Sequence, residues 1–466
     1  MIKKNTWLLI ILSIGLLISI LYTHFYWKNF INTNHTENLD GFILDPIEGI
    51  SFEPGKYKTP SIIGKDTVLY FIIGKQILDS YKKNKNFFSA QQEFKISFLY
   101  PNIIAFFSHY FNDEIIKNKE IIIGKKSFLI IFQIFFYYFS LLFFSCSLQK
   151  YTDDKKNLLI ISFLSLEPTI MQWNVAFMTE SLFFSCLIIS LSLLLKKKNS
   201  AYFYSGIIIG ISFLMRSFII YYLIIILLYL IIKYRFLFIK PAIYFFLGIS
   251  IIIIPLIANN YYRSKVVYLL PMQAKLHIAH YHEHHILARG TGISIATSQK
   301  ILSDRNNEWI KKNIRNNSES ERIKYYNYRQ SEAYNSISKY KFEYCIMLMR
   351  GIFKNSLLNP LHMWIQNTQY HNSKDYLQST DQKKVLKISI IYSLLIYSLS
   401  LVSLISFIKK NANISFLLIG SIIYFSFMAS IGGSQRYFSP AIIFVSFFFC
   451  SGLKKIFILL QNRSIK

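Results

Sequence analysis

A few ionisable residues stand out against an apolar chain. Of its 24 acidic residues, only Glu167 and Glu180 fall inside hydrophobic runs. A carboxylate in hydrocarbon costs about 3 kcal/mol or more, so polar chemistry should collect where apolar segments reach a membrane face. Asp66 opens the largely apolar, helix-compatible stretch Thr67–Leu78, with Tyr70 four residues on. Tyr100-Pro101 lies at the start of a short apolar stretch, Phe98–Phe111, and Glu180 stands in Thr179-Glu180-Ser181 at the head of another run. A carboxylate so placed can be a general base toward an acceptor hydroxyl or a plain helix cap. Spacing alone leaves both open.

Three arginines mark other helix ends: Arg216, Arg263 and Arg436, the last in Gly432-Gly433-Ser434-Gln435-Arg436-Tyr437. Snorkelling accounts for any one of them. Three at one face suggest more, because guanidinium groups bind phosphate bidentately. The run HIAHYHEHH places His277, His280, His282, His284 and His285, half of the chain's ten histidines, in one loop. His280 and His284 would share a helical face, but no cysteine joins them. The run reads as a solvated loop, with charge regulation near pH 6.5 as a further option. The cysteines, Cys146, Cys186, Cys345 and Cys450, form no disulfide framework and no CxxC site.

The elements that must position these groups are membrane helices. Apolar blocks of about 20 residues alternate with short basic breaks, the pattern of a polytopic membrane protein. Spans are expected at 7–27, 128–148, 157–175, 180–195, 201–216, 217–232, 240–258, 387–408, 414–431 and 439–459. The fold class is thus an all-α bundle of about ten transmembrane helices. Residues 1–27 form the first helix, 28–127 an external loop with surface helices, and 128–258 a six-helix block. An external helical loop at 259–386 and a three-helix block at 387–466 follow. Gly206 and Gly210, four apart, allow close helix packing. Phe98–Phe111 holds Pro101 and is short for a span, so it is expected to lie along the membrane surface. Ser318-Glu319-Ser320-Glu321 fits a capping box before a helix in the second loop.

A net charge of +28 suits nucleic acid or anionic lipid, and its distribution favours lipid. Lys196–Lys198, Lys233–Lys240, Lys409–Lys410 and the tail from Lys454 are basic short segments, as cytoplasmic loops are. No basic, aromatic-interleaved domain stands apart from the spans. The N-terminal run leads into aromatic residues without a small-residue cleavage site, so it reads as an uncleaved helix. A multi-pass protein of the cell (inner) membrane, both termini cytoplasmic, is expected.

Taken in order, these pieces resemble a known family. Asp66 with Tyr70, then Tyr100-Pro101, precede Pro168 and Thr179-Glu180-Ser181. Gly206, Gly210, Leu214 and Arg216 come next, then Asn259-Asn260-Tyr261-Tyr262-Arg263, a long loop, and Arg436-Tyr437-Phe438-Ser439-Pro440. The series resembles the GT-C superfamily of polyprenyl-phosphate-sugar glycosyltransferases, nearest its family 39 branch of protein-mannosyltransferases and aminoarabinose transferases. The resemblance implies a sugar on a polyprenyl phosphate as donor, membrane lipid around the site, and an external lipid, glycan or protein acceptor. A phosphate leaving group needs no protonation, so one carboxylate base suffices and the anomeric centre inverts. Asp66 matches that base, and Glu180 is a second catalytic candidate. Arg216, Arg263 and Arg436 would hold the donor phosphate, and Tyr70, Tyr100 and Tyr437 would line the substrate site. No cofactor follows with certainty, and a divalent metal is left open.

Two other classes stay in view. An O-antigen polymerase or ligase also carries many helices and a large external loop, although its decisive loop usually lies later in the chain. A transporter or flippase usually needs ionisable groups at mid-membrane, which are sparse here.

Overall fold

Apolar blocks with no water to satisfy their peptide groups must close their hydrogen bonds within themselves, and helices do so. In the computed structural model, the description covers residues 2–30, 34–38, 56–60, 65–84, 99–111, 116–117, 120–121, 127–269, 278–279, 282–316, 319–357, 380–431 and 435–464. The fold is an all-α polytopic membrane bundle. After α1 (Ile2–Phe30) come α2 (Lys65–Asn84) and α3 (Leu99–Phe111), then α4 (Phe128–Leu148), α5 (Asp154–Leu166), α6 (Pro168–Asn174) and α7 (Glu180–Leu195). The chain continues through α8 (Asn199–Met215), α9 (Ile219–Tyr234) and α10 (Ile239–Ser264). A helical subdomain follows: α11 (Glu283–Thr291), α12 (Ile295–Asn313), α13 (Glu319–Lys339) and α14 (Lys341–Leu357). Three long helices close the chain: α15 (Thr380–Lys410), α16 (Ala412–Ile431) and α17 (Ala441–Ser464).

Six segments among the described residues are long and apolar enough to cross a membrane by length and composition. They are Thr6–His24, Phe128–Leu148, Ile219–Tyr262, Lys387–Lys410, Ala412–Ile431 and Ala441–Asn462. Glu180–Leu195 and Asn199–Met215 are shorter apolar helices. The run Ile219–Tyr262 contains both α9 and α10, interrupted at Arg235, whose φ of 50° leaves the helical region. Each expected span coincides with a helix except 157–175. There α5 ends at Leu166 and α6 restarts at Pro168. Proline lacks the N–H a continuous helix needs, but suits the first position of a new one. Glu167 caps that restart, accepting from the Ile170 N–H at 2.9 Å.

Packing follows small residues and shared hydroxyls. α8 lies against α10 with backbones nearly touching: a Cβ on Gly206 would collide with the Phe245 carbonyl, and one on Gly248 with that of Phe203. The expected close packing at Gly206 and Gly210 is present. Ser190 Oγ meets Ser205 Oγ at 2.8 Å between α7 and α8, and Tyr222 meets Ser421 at 2.6 Å between α9 and α16.

The first loop holds something the sequence did not announce. Strands β1 (Asn34–Asn38) and β2 (Lys56–Pro60) pair antiparallel, Asn34 opposite Pro60. Strand β2 pairs in parallel with β4 (Glu120–Ile121), which pairs antiparallel with β3 (Ile116–Lys117). The order β1-β2-β4-β3 ties the beginning of the loop to its end. α2 and α3 pack together between those ends, Gly74 meeting Pro101 and Ile104. In the second loop, Tyr268, Ile323, Tyr325 and Tyr326 form a small core of their own, with Trp309 packed against it.

Candidate functional site

Glu180 is the first residue of α7, and Arg216 follows the last residue of α8 in extended backbone (φ −145°, ψ 104°). α7 and α8 pack side by side, so residues 36 apart in sequence meet. The Arg216 guanidinium forms an ion pair with Glu180 and donates through Nε to Thr179 Oγ1 at 2.9 Å. Thr179 Oγ1 in turn donates to Glu180 Oε2 at 3.2 Å. Side-chain exposure is 1% for Glu180 and 7% for Arg216. Thr179 makes no capping hydrogen bond, and the Ser181 hydroxyl goes to Asn174 Oδ1 at 2.8 Å. Glu180 is therefore fixed by an arginine, and the helix-cap account explains little of its setting.

Arg436 comes to the same carboxylate from another part of the chain. It lies in the 3₁₀ turn Gln435–Tyr437 ahead of α17, its Nε 3.9 Å from Glu180 Oε1, and is 20% exposed. The Tyr437 ring serves both arginines: the guanidinium carbons lie 5.0 Å (Arg216) and 5.3 Å (Arg436) from its centroid. Such contacts hold a cation by the ring's electron-rich face. Phe218 packs edge-on against Tyr437, with ring centroids 5.4 Å apart. Trp173 Nε1 donates to Ser439 Oγ at 3.1 Å, fixing the turn to α6.

Tyr100 reaches this cluster from the first loop. Fully buried, it donates to Gln133 Oε1 on α4 at 2.8 Å, and Gln133 Nε2 donates to the Ala176 carbonyl at 3.0 Å, just before Thr179. Burial, then Tyr70, then Glu180 hold its phenol well above the ordinary tyrosine range. Tyr70 meets Tyr100 edge to face at 5.3 Å, and Phe71 meets Phe177 at 5.3 Å. α2 is thus laid across the turn that leads to Glu180. Asp66 is the second residue of α2, four residues before Tyr70, which is about 6 Å along a helix. Its side chain lies outside the described residues, as does that of Arg263 in the last turn of α10.

The structure therefore joins Glu180, Arg216, Arg436, Tyr437, Tyr100 and Tyr70 in one neighbourhood. One carboxylate and two guanidinium groups leave the centre with a formal charge of +1, partly exposed on the Arg436 side. Residues 118–260 match the family model of dolichyl-phosphate-mannose-protein mannosyltransferases. Over that segment the chain is similar to membrane glycosyltransferases of the GT-C type. The matched segment holds Glu180 and Arg216, while Asp66, Tyr70, Tyr100, Arg263, Arg436 and Tyr437 lie outside it. No curated protein and no solved structure matches the chain.

Gln133 is a supporting residue that pattern reading passed over, and Thr179, read only within its capping motif, receives Arg216 instead. Both are uncharged, and only the packing of α3 and α8 reveals them. Glu167 was noted only for its place in an apolar run. Its carboxylate is buried, accepts from Thr169 Oγ1 at 2.9 Å and from Tyr392 at 3.4 Å, and borders a small cavity of about 30 Å³ beside Tyr397 and Ser439. The histidine run corrects the expected solvated loop. His282 and Glu283 are buried, and Glu283 pairs with Arg305 at 2.6 Å, because α11 turns that side toward α12 and α13. His277 and His280 lie outside the described residues. Among the described residues no group of three His, Cys, Asp or Glu side chains is placed to hold a metal ion.

Proposed function

We propose that this protein transfers a sugar from a polyprenyl-phosphate donor to an acceptor hydroxyl at the external face of the membrane, with inversion. The observation that carries this reading is the buried Glu180–Arg216 pair with Arg436 beside it on a shared tyrosine. A donor phosphodiester carries one negative charge, which the centre's single surplus positive charge matches. As the sugar departs, a second charge develops on the phosphate, and preorganised guanidinium groups stabilise that state more than the ground state. Glu180 serves to orient Arg216 and limit the positive charge. Both of its oxygens are already engaged, one by Arg216 and the other by Thr179.

The base is then Asp66, at the start of the helix whose Tyr70 packs on Tyr100. It would lie within hydrogen-bond reach of the acceptor hydroxyl, and the released phosphate needs no acid. Arg263 is proposed as a further, outer contact to the donor, and Tyr437 as the plate that spaces the two inner arginines. Both ends of the chain are proposed to be cytoplasmic.

Asp66→Asn tests the assignment, because it keeps shape and capping ability but removes basicity. The expected result is a folded protein that still binds polyprenyl phosphate and turns over at least about a hundredfold more slowly. Near-normal turnover by a folded Asp66→Asn protein would remove Asp66 as the base.

A further inference from the structure

The end of α16 is tied down by the external helices, residue after residue. The last carbonyls of an α-helix have no partners within it, and at an external helix end water ordinarily serves. Here Asn355 Nδ2, on α14, donates to the Ala429 carbonyl at 2.8 Å. His282 Nε2, just before α11, hydrogen-bonds the Ile431 carbonyl. Between them, Ser430 Oγ donates to the Leu348 carbonyl at 2.7 Å, and Gly351 faces Ser430 with no room for a side chain. Asn355 and His282 are both buried, 5% exposed. His282 is braced in turn by the edge of Tyr344, with ring centroids 6.0 Å apart. Its neighbour Glu283 is held by Arg305, which also reaches Glu332 at 2.9 Å.

Only residues 432–434 separate Ile431 from the 3₁₀ turn that carries Arg436. That turn also packs directly against α16, so a shift of the helix end is felt at the arginine. We propose that His282 and Asn355 are positioning residues for Arg436: the external helical subdomain sets where the phosphate-binding guanidinium stands. The inference rests on reading Arg436 as a ligand of the donor phosphate. It assigns the second loop a part in donor binding without any contact between that loop and the donor.

The test uses the full-length protein in detergent, with sugar-free polyprenyl monophosphate as the probe in an equilibrium binding titration. Asn355→Leu and His282→Ala should each raise Kd roughly fivefold, the factor that loss of one neutral hydrogen bond typically gives. His282→Gln, which keeps an N–H donor in a similar place, should restore most of the affinity. Trp309→Ala should lower the melting temperature, since Trp309 stacks on Tyr328 away from α16, yet leave Kd unchanged. Arg436→Lys should raise Kd strongly, because lysine lacks the guanidinium fork. If Arg436→Lys raises Kd while folded Asn355→Leu and His282→Ala bind normally, the positioning role is overturned. If Trp309→Ala weakens binding as much as they do, it is overturned as well. Unchanged affinity in Arg436→Lys would overturn the phosphate reading itself and this inference with it.

Discussion

Glu180 and Arg216 give the sharpest forecast, because neither side chain can be screened well by water. Two unit charges about 3 Å apart attract by about 5 kcal/mol at an effective dielectric constant near 20. Much of that offsets the cost of dehydrating both groups, so the pair as a whole adds little net stability, whereas removing one partner costs about 3–5 kcal/mol. Arg216→Met should therefore destabilise strongly, and Glu180→Gln/Arg216→Met should regain most of the loss. Unfolding followed by tryptophan fluorescence in detergent reads both. The same pair predicts an opposite effect on lipid binding. With Glu180 neutralised, the centre's charge rises from +1 to +2. A phosphate about 6 Å from the lost charge then gains about 3 kcal/mol before solvent screening. Half of that surviving is about a tenfold gain in affinity. Glu180→Gln should bind polyprenyl monophosphate more tightly and release it more slowly, with turnover falling. Weaker binding, or a double variant no more stable than Arg216→Met, would refute the charge argument.

Two further expectations concern topology and pH. A cysteine placed at Asn316 should be labelled by an impermeant reagent in intact cells, and one at Asn199 should not, since the short basic loops belong inside; the reverse pattern would invert the whole arrangement. His282 is held below the usual histidine range by burial, against its bond to Ile431 and with His285 adding to the lowering. A depressed histidine pKa means that the unfolded chain takes up a proton first, so stability present above about pH 6.5 is lost as pH falls through that value. The melting temperature should drop below pH 6.5, and His282→Gln should reduce the slope. Tyr344, Glu283 with Arg305, and His285, itself lowered by burial and by Arg289, surround the ring and account for the remainder.

The bundle was legible because hydrocarbon allows a chain so little choice. Blocks of Ile, Leu and Phe fixed where the helices run, and Pro168 marks where an expected single span divides. The amphipathic α3 was readable too, its buried side carrying Tyr100, Ile104 and Ser108. Pairings were another matter. Nothing local in Thr179-Glu180-Ser181 shows that Arg216 will meet it, because α7 and α8 must first pack in one particular register. Strands β1 and β2, Asn-His-Thr-Glu-Asn and Lys-Tyr-Lys-Thr-Pro, lack the alternating apolar residues by which a strand is recognised. Their order comes from closing a loop. For the histidine run, a polar sequence looked solvated, and it took Arg305, twenty-two residues from Glu283, to bury it.

The short helices around the centre carry a consequence for the lipid itself. α7 has 16 residues and α5 has 13, so at 1.5 Å per residue they extend about 24 Å and 20 Å. The hydrocarbon of an ordinary bilayer is about 30 Å thick. α7 is almost wholly enclosed by other helices, so this shortfall is met by protein and not by lipid. The groups at its head, Glu180 first among them, are then expected to stand below the level that the longer helices reach. A carrier phosphate would have to leave the headgroup level to meet the arginines, and turnover in bilayers of graded acyl length should favour the thinner ones.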